Sequence, residues 1–443
     1  MIPYQQRPPK RKSFLRLLLV IFLLFFLGFL IYKLPPVHGR LAWRVEALRA
    51  RIKYAFSPPE DIILQVSTQE AEPSATLPYI IVTSTATAAA TSIQSTVTLT
   101  TTLSLASTPS PTITPTTTPL PPSVKLSGFT HMYQSWNNCG PANLAMALSY
   151  WGWEGDQRDT AAYTKPNPRD KNIMPYEMAD FVTEETDFSV IVRVGGDLET
   201  LKAFIAAGFP VIVEKSFEGA RFEGWMGHYQ VVNGYDDQSE TFIVQDSYDG
   251  PDLSVSYEDM RNQWRSFNYT YIVVYPPEKE NRVFAILGPH VDRNYNNQYA
   301  LDKAIQETKS LEGRDQFFAW FNRGTNLVRQ HNYLDAATAY DAAFANYSSI
   351  PNEQRPWRIL WYQTGPYFAY YYTQRYENVI ELATTTLEAM SEPILEESYY
   401  WRARAKMALG DNEGAIEDLL LSLKYHPGFQ PSLDQLEILG VEP

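Results

Sequence analysis

Cysteine is almost missing from this chain. Cys139 is the only one among 443 residues, which excludes an intrachain disulfide framework. Charge is missing from 73–122, where no Asp, Glu, Lys or Arg occurs and roughly three-fifths of the residues are Ser, Thr or Pro. Such a stretch cannot bury a core, and it predicts an exposed linker over 66–123. Its reach is about 40 Å as a flexible coil and about 150 Å if polyproline-like. A Walker-type Gly-x4-Gly-Lys-Ser/Thr motif is also missing. Basic residues are in deficit, 37 Lys and Arg against 50 Asp and Glu, for a net charge of −13. The first 56 residues hold 11 of those basic residues and one acidic residue, so everything after them is strongly acidic. That balance argues against nucleic acid as a partner.

What is present begins with an apolar run over 17–32, broken only by Gly28 and extended to about a bilayer's thickness if Arg16 and Lys33 snorkel. The run predicts a transmembrane signal anchor over 17–34, behind a cytoplasmic basic tail at 1–16. Lys33-Leu34-Pro35-Pro36 follows where a small-residue cleavage site would be needed, so the anchor is expected to stay uncleaved. Both flanks are basic, and the positive-inside rule is nearly silent. The Ser/Thr/Pro-rich linker breaks the tie, placing the protein in the cell membrane with its N-terminus cytoplasmic and its folded domains outside. Leu41, Val45, Leu48, Ile52 and Ala55 recur at steps of four and three, which predicts a juxtamembrane amphipathic helix over 40–56.

With 44% hydrophobic and 14% aromatic residues, the rest of the chain is expected to form packed cores in two or three domains. Over 124–280 the expected class is α+β, helices first and an antiparallel sheet after. Helices are predicted at 142–150, 176–186 and 198–207, the last capped by Asp197. Strands are predicted at 210–214, 228–233, 241–247 and 269–275. Pro141 suits a first helical position, so Cys139 falls at a helix start. Unpaired N–H groups and the positive end of the helix dipole there favour thiolate over thiol, making Cys139 a candidate nucleophile, with a small buried hydrophobe as the alternative on position alone.

A nucleophile needs a base. If Asn233 pairs with Thr241 across a seven-residue loop, His228 falls directly opposite Asp246, with Cβ atoms about 4.5–5.5 Å apart on one face. The carboxylate could then hold the imidazole in the tautomer a general base requires. Only His131 competes as a base within this unit.

Gln134-x4-Cys139-Gly140-Pro141-Ala142, Gly227-His228-Tyr229-Gln230-Val231-Val232-Asn233-Gly234-Tyr235-Asp236 and Val244-Gln245-Asp246-Ser247 together resemble the papain-like, bacteriocin-processing (family 39) cysteine peptidases. The resemblance covers about a third of the chain. It implies a papain-like domain over 124–280, with Cys139 as nucleophile, His228 as base and Asp246 as orienter. It also implies Gln134 as the side-chain oxyanion donor beside the Cys139 backbone N–H. Gln134 stands five residues before Cys139, where the family often has six. No cofactor or metal is implied, and a peptide or protein substrate is.

Behind this unit, Arg323-Gly324, Ala336, Tyr340 and Ala343 recur at a constant offset of 79 as Arg402-Ala403, Ala415, Leu419 and Ser422. The small-large pattern resembles tetratricopeptide repeats and predicts an all-α module over 290–440, with a protein partner possible on its concave face. The expected function is a membrane-anchored extracytoplasmic cysteine peptidase. The alternatives are a catalytically idle peptide-binding adaptor, or a cysteine amidase or acyltransferase acting on non-protein substrates.

Overall fold

The structure, a computed structural model, describes residues 11–33, 35–66, 119–218 and 224–442. By compactness the chain divides into Met1–Ser67 with Pro121–Pro443, and Thr68–Leu120. Most of the expected basic tail, residue 34 of the expected anchor and nearly all of the expected linker lie outside the described residues.

A helix covers Arg11–Tyr32, where the anchor is expected. Among the described residues no helix is long and apolar enough to cross a membrane, so the expected transmembrane helix over 17–34 is not found there. The next helix runs Pro35–Phe56, starting earlier than the expected 40, with two prolines in its first turn where no N–H is needed. Its Val45, Leu48, Ile52 and Phe56 are exposed, whereas Tyr54 is buried edge-on against Trp357.

One sheet of seven strands organises the middle of the chain: β1 (Ser123–Lys125), β2 (Ser189–Arg193), β3 (Val211–Glu218), β4 (Trp225–Asp236), β5 (Thr241–Asp246), β6 (Gly250–Ser256) and β7 (Tyr271–Tyr275). Its order is β2-β7-β3-β4-β5-β6, with β1 also on β4, and its ladders are antiparallel. Helices Cys139–Tyr150 and Pro175–Glu185 bury Leu144, Leu148, Met178 and Phe181 against Ile212, Val231 and Val274. Helices Leu198–Ala206 and Tyr257–Arg265 bury Phe204, Ile205, Met260 and Trp264 in a second core with Val211, Val213 and Val273. Alternate residues of β3 and β7 therefore serve different cores, as a half-polar strand could not.

The β4–β5 connection differs from the expected one. Asp236 Oδ1 accepts the Gln238 N–H at 2.8 Å, an Asx turn that tightens the loop to residues 237–240, and Asp236 pairs with Thr241. Gly234 then pairs with Ile243 and Val232 with Val244, leaving Asn233 as a one-residue bulge. The expected pairing of Asn233 with Thr241 is thus wrong, and so is the directly opposed His228–Asp246 pair. Continuing from the Val231–Gln245 pair, Gln230 comes opposite Asp246 and His228 lies on the diagonal.

Residues 280–438 are helical throughout most of their length, as the sequence leads one to expect. The aligned small-large positions are packed: a Cβ on Gly324 would sit 2.7 Å from the Tyr340 ring, and Ala336, Ala403, Ala415 and Leu419 are fully buried. This helical part shares a core with the sheet region, since Trp225 and Phe267 pack with Phe317, Phe318, Phe321 and Leu360. Arg358 Nη1 also donates to the Trp225 carbonyl at 2.8 Å.

Candidate active site

Cys139 is the first residue of its helix, two residues earlier than a start at Pro141 would give. The N-cap is Asn138, but its side chain does not cap; Nδ2 donates to Gln157 Oε1 at 2.9 Å instead. The helix start therefore keeps N–H groups that no side chain caps, and the Gly140 N–H there and the Tyr229 N–H of β4 both hydrogen-bond the Cys139 sulfur. Burial alone would push the thiol up. The hydrogen bond and charge of His228, with those two N–H groups, outweigh it and hold the thiol below its ordinary value.

His228 is 4% exposed. Its Nε2 lies 3.1 Å from both Asp246 Oδ1 and Oδ2, which leaves Nδ1 for the hydrogen bond with Cys139. Burial works against the imidazolium, but the hydrogen bonds to Asp246 and Cys139 and their charges win, raising His228 to about 9. Asp246 is fully buried and would by burial alone be raised. The bonds from His228 and Gln230 and the N–H groups of Tyr248 at 2.7 Å and Asp249 at 3.1 Å keep it far below the usual carboxylate range. A carboxylate with that many donors stays ionised and fixes the ring plane.

Gln134 is held at both ends of its own residue by Ser247: its N–H donates to the Ser247 carbonyl at 2.7 Å, and its Oε1 accepts from Ser247 Oγ at 2.8 Å. With the amide oxygen so fixed, the Nε2 donor has no partner among the described residues. Asn143, four residues after Cys139 and so on the same helix face, ties this together. Its Nδ2 meets the Cys139 carbonyl at 2.9 Å, the Tyr229 carbonyl at 2.7 Å and Ser247 Oγ at 3.0 Å. His131, the other expected base, meets Gln245 Oε1 through Nδ1 at 3.2 Å.

All four residues expected from sequence thus belong to one connected network. Gln230, Asn143 and Ser247 were not expected. Gln230 follows His228 by one strand period and Asn143 follows Cys139 by one helical turn, so both were readable from periodicity once the first residues were chosen. Phe217 packs on the imidazole, 5.2 Å from His228 between ring centroids, and is itself 5.3 Å from Tyr248. Among the described residues no group of His, Cys, Asp and Glu is placed to hold a metal ion.

Residues 126–272 match the model of the Peptidase_C39 like family. Among solved structures, the chain is similar to a putative C39-like peptidase from Bacillus anthracis (19% identity, 34% of this chain and 96% of that one, TM-score 0.28). It is similar to a double glycine motif protease from an AMS/PCAT transporter, solved with its leader peptide (17% identity, 34% and 94%, TM-score 0.27). A third is xylellain, a cysteine protease from Xylella fastidiosa (16% identity, 35% and 87%, TM-score 0.28). Comparison with curated proteins gives no match. With the family match over 126–272, the chain is a cysteine peptidase, a hydrolase.

Proposed function

We propose that the chain hydrolyses peptide bonds through a Cys139–His228–Asp246 triad, with Gln134 Nε2 and the Cys139 backbone N–H as oxyanion donors. The observation that carries this reading is the His228 ring, bonded through Nε2 to a buried carboxylate and through its other nitrogen to the cysteine. In the resting pair the proton sits on His228 and the sulfur is a thiolate. The thiolate attacks the scissile carbonyl, and the developing oxyanion takes the two donors. His228 then gives its proton to the leaving amine as the C–N bond breaks, leaving a thioester on Cys139. Water adds to the thioester with His228 accepting its proton, and the acid product leaves as the thiolate–imidazolium pair is restored.

The exposed Leu19, Phe22, Leu23, Leu24 and Phe26 support a membrane anchor at the N-terminus, with the folded part extracytoplasmic. The buried small-large contacts at Gly324–Tyr340 support tetratricopeptide-like repeats, for which a protein partner is proposed. Comparing turnover of a peptide library and of small amides by the full chain and its Cys139→Ala variant tests the catalytic reading. Cysteine-dependent peptide cleavage upholds it. Cleavage of small amides alone, or function kept in Cys139→Ala, refutes it.

A further inference from the structure

The turn that delivers Cys139 is held by a buried lysine for which the triad has no use. Lys165 caps the end of helix Gln157–Thr164, where Pro166 disfavours a helical backbone, and at φ of −130° it leaves the helix. Its side chain goes inward, only 6% exposed. The ammonium donates to the Asn137 carbonyl at 3.0 Å and the Trp136 carbonyl at 3.4 Å.

Those carbonyls sit in the segment between Gln134 and Cys139, and Asn137 there has φ of 51°, the left-handed region that costs a non-glycine residue energy. Left-handed backbone persists where its surroundings over-determine it. The same helix supplies the second constraint, since Gln157 Oε1 accepts the Ser135 N–H at 2.7 Å and Gln157 Nε2 donates to the Tyr133 carbonyl at 2.7 Å. Gln157 fixes the near side of the turn and Lys165 the far side. The charged groups facing the ammonium are Asp170, in the loop that follows, and Cys139; beyond Asp170 stand His426, Glu177, Glu396 and Glu397. Burying an ammonium disfavours its charge and lowers Lys165, against which Asp170 and Cys139 favour the ionised form.

We propose that Lys165 is a positioning residue of the Cys139 site: its ammonium clamps the Trp136 and Asn137 carbonyls, sets the aim of the oxyanion donors, and adds a second cation to the field of the thiolate. This rests on Cys139 being the nucleophile.

The test uses the full chain with Lys165→Met and Lys165→Gln, reading kcat and KM on one peptide and the pH profile of Cys139 alkylation by iodoacetamide. Lys165→Met should lower kcat about tenfold to a hundredfold, as for other displaced site geometry, with KM within about twofold. It should also move the alkylation profile to higher pH, which loss of packing alone would not do. Lys165→Gln keeps a donor without the charge, and should show the alkylation shift with a smaller loss in kcat; it carries the test if the Met variant does not fold. Wild-type alkylation and kcat in either folded variant overturn the inference. A wild-type chain that alkylates like a simple thiol overturns the nucleophile reading first, and is told apart because it appears without any substitution.

Discussion

His228 reaches Asp246 across a diagonal of the sheet, and it can do so only because Asn233 is bulged out between them. Below the bulge the β4–β5 register pairs Asp236 with Thr241 and Gly234 with Ile243; above it Val232 pairs with Val244. Carried upward without the bulge, the lower register would set Asp246 against Val231, on the face opposite His228. One extra residue restores the face. Diagonal neighbours have Cα atoms about 7–8 Å apart, within the reach of an imidazole and a carboxylate. Asn233 is held in place: its carbonyl accepts the Leu126 N–H at 2.7 Å and its Nδ2 donates to the Leu126 carbonyl at 3.2 Å.

Deleting Asn233 should therefore remove the bulge and join the two halves of the ladder, since Val232–Val244 and Gly234–Ile243 become successive pairs and Asp246 stays opposite Gln230 with His228 on the diagonal. Turnover should stay within about tenfold of wild type, short of the roughly hundredfold loss that goes with losing a general base. Circular dichroism should show the β signal retained, with a lower melting temperature from the lost Leu126 hydrogen bonds. A loss of about a hundredfold or more in the deletion variant would mean that the register does not set the site.

The oxyanion assignment separates three amides. Gln134→Ala should cost about 2.7–4 kcal/mol of transition-state stabilisation, about a hundredfold to a thousandfold in turnover. Asn138→Ala should act mainly on stability, because its amide is already committed to Gln157. Asn137→Ala should leave turnover near wild type. Turnover of the three variants on one peptide decides it, and a large loss in Asn137→Ala with little in Gln134→Ala would transfer the role.

Much of this site is legible in the sequence because its parts are local. A cysteine before Gly-Pro marks the helix start, and the alternation around His228 marks a strand. The register was not legible, because loop length and the bulge depend on an Asx turn at Asp236 and on β1 covering Gly234, whose added Cβ would lie 2.8 Å from the Val124 carbonyl. Strands β2 and β6 were missed for a similar reason. Gly250-Pro251-Asp252 reads as a turn, yet Gly250 pairs with Asp246 at φ of 135°, and Ser189–Arg193 is extended because β7 lies beside it. Nor does any local pattern say that Trp225 and Phe267 would enter the core of the helical part.

Acid groups buried where 170–177 meets helix Glu396–Ala408 give the fold a pH dependence. Burial raises Asp170 to about 6 and lifts Glu177, Glu396 and Glu397 well above the carboxylate range. A raised acid binds its proton more tightly folded than unfolded. Its contribution is complete below the unfolded value of about 4 and is lost as pH rises through the folded one. Melting temperature should fall as pH is taken from about 5 upward through 6 and beyond, and Glu397→Gln should flatten that fall. A melting temperature that rises across this window in the wild type and is unchanged in the variant would show that the cluster does not govern it.

The central claim is the ion pair between Cys139 and His228, and the pH dependence of Cys139 alkylation in the full chain measures it. With the thiol lowered and His228 raised to about 9, the rate at pH 6 should already stand well above that of an ordinary thiol. In His228→Ala it should become small at pH 6 and climb only toward the ordinary thiol range near 8.5. A wild-type rate that rises only above pH 8, with no difference between it and His228→Ala, would contradict the account.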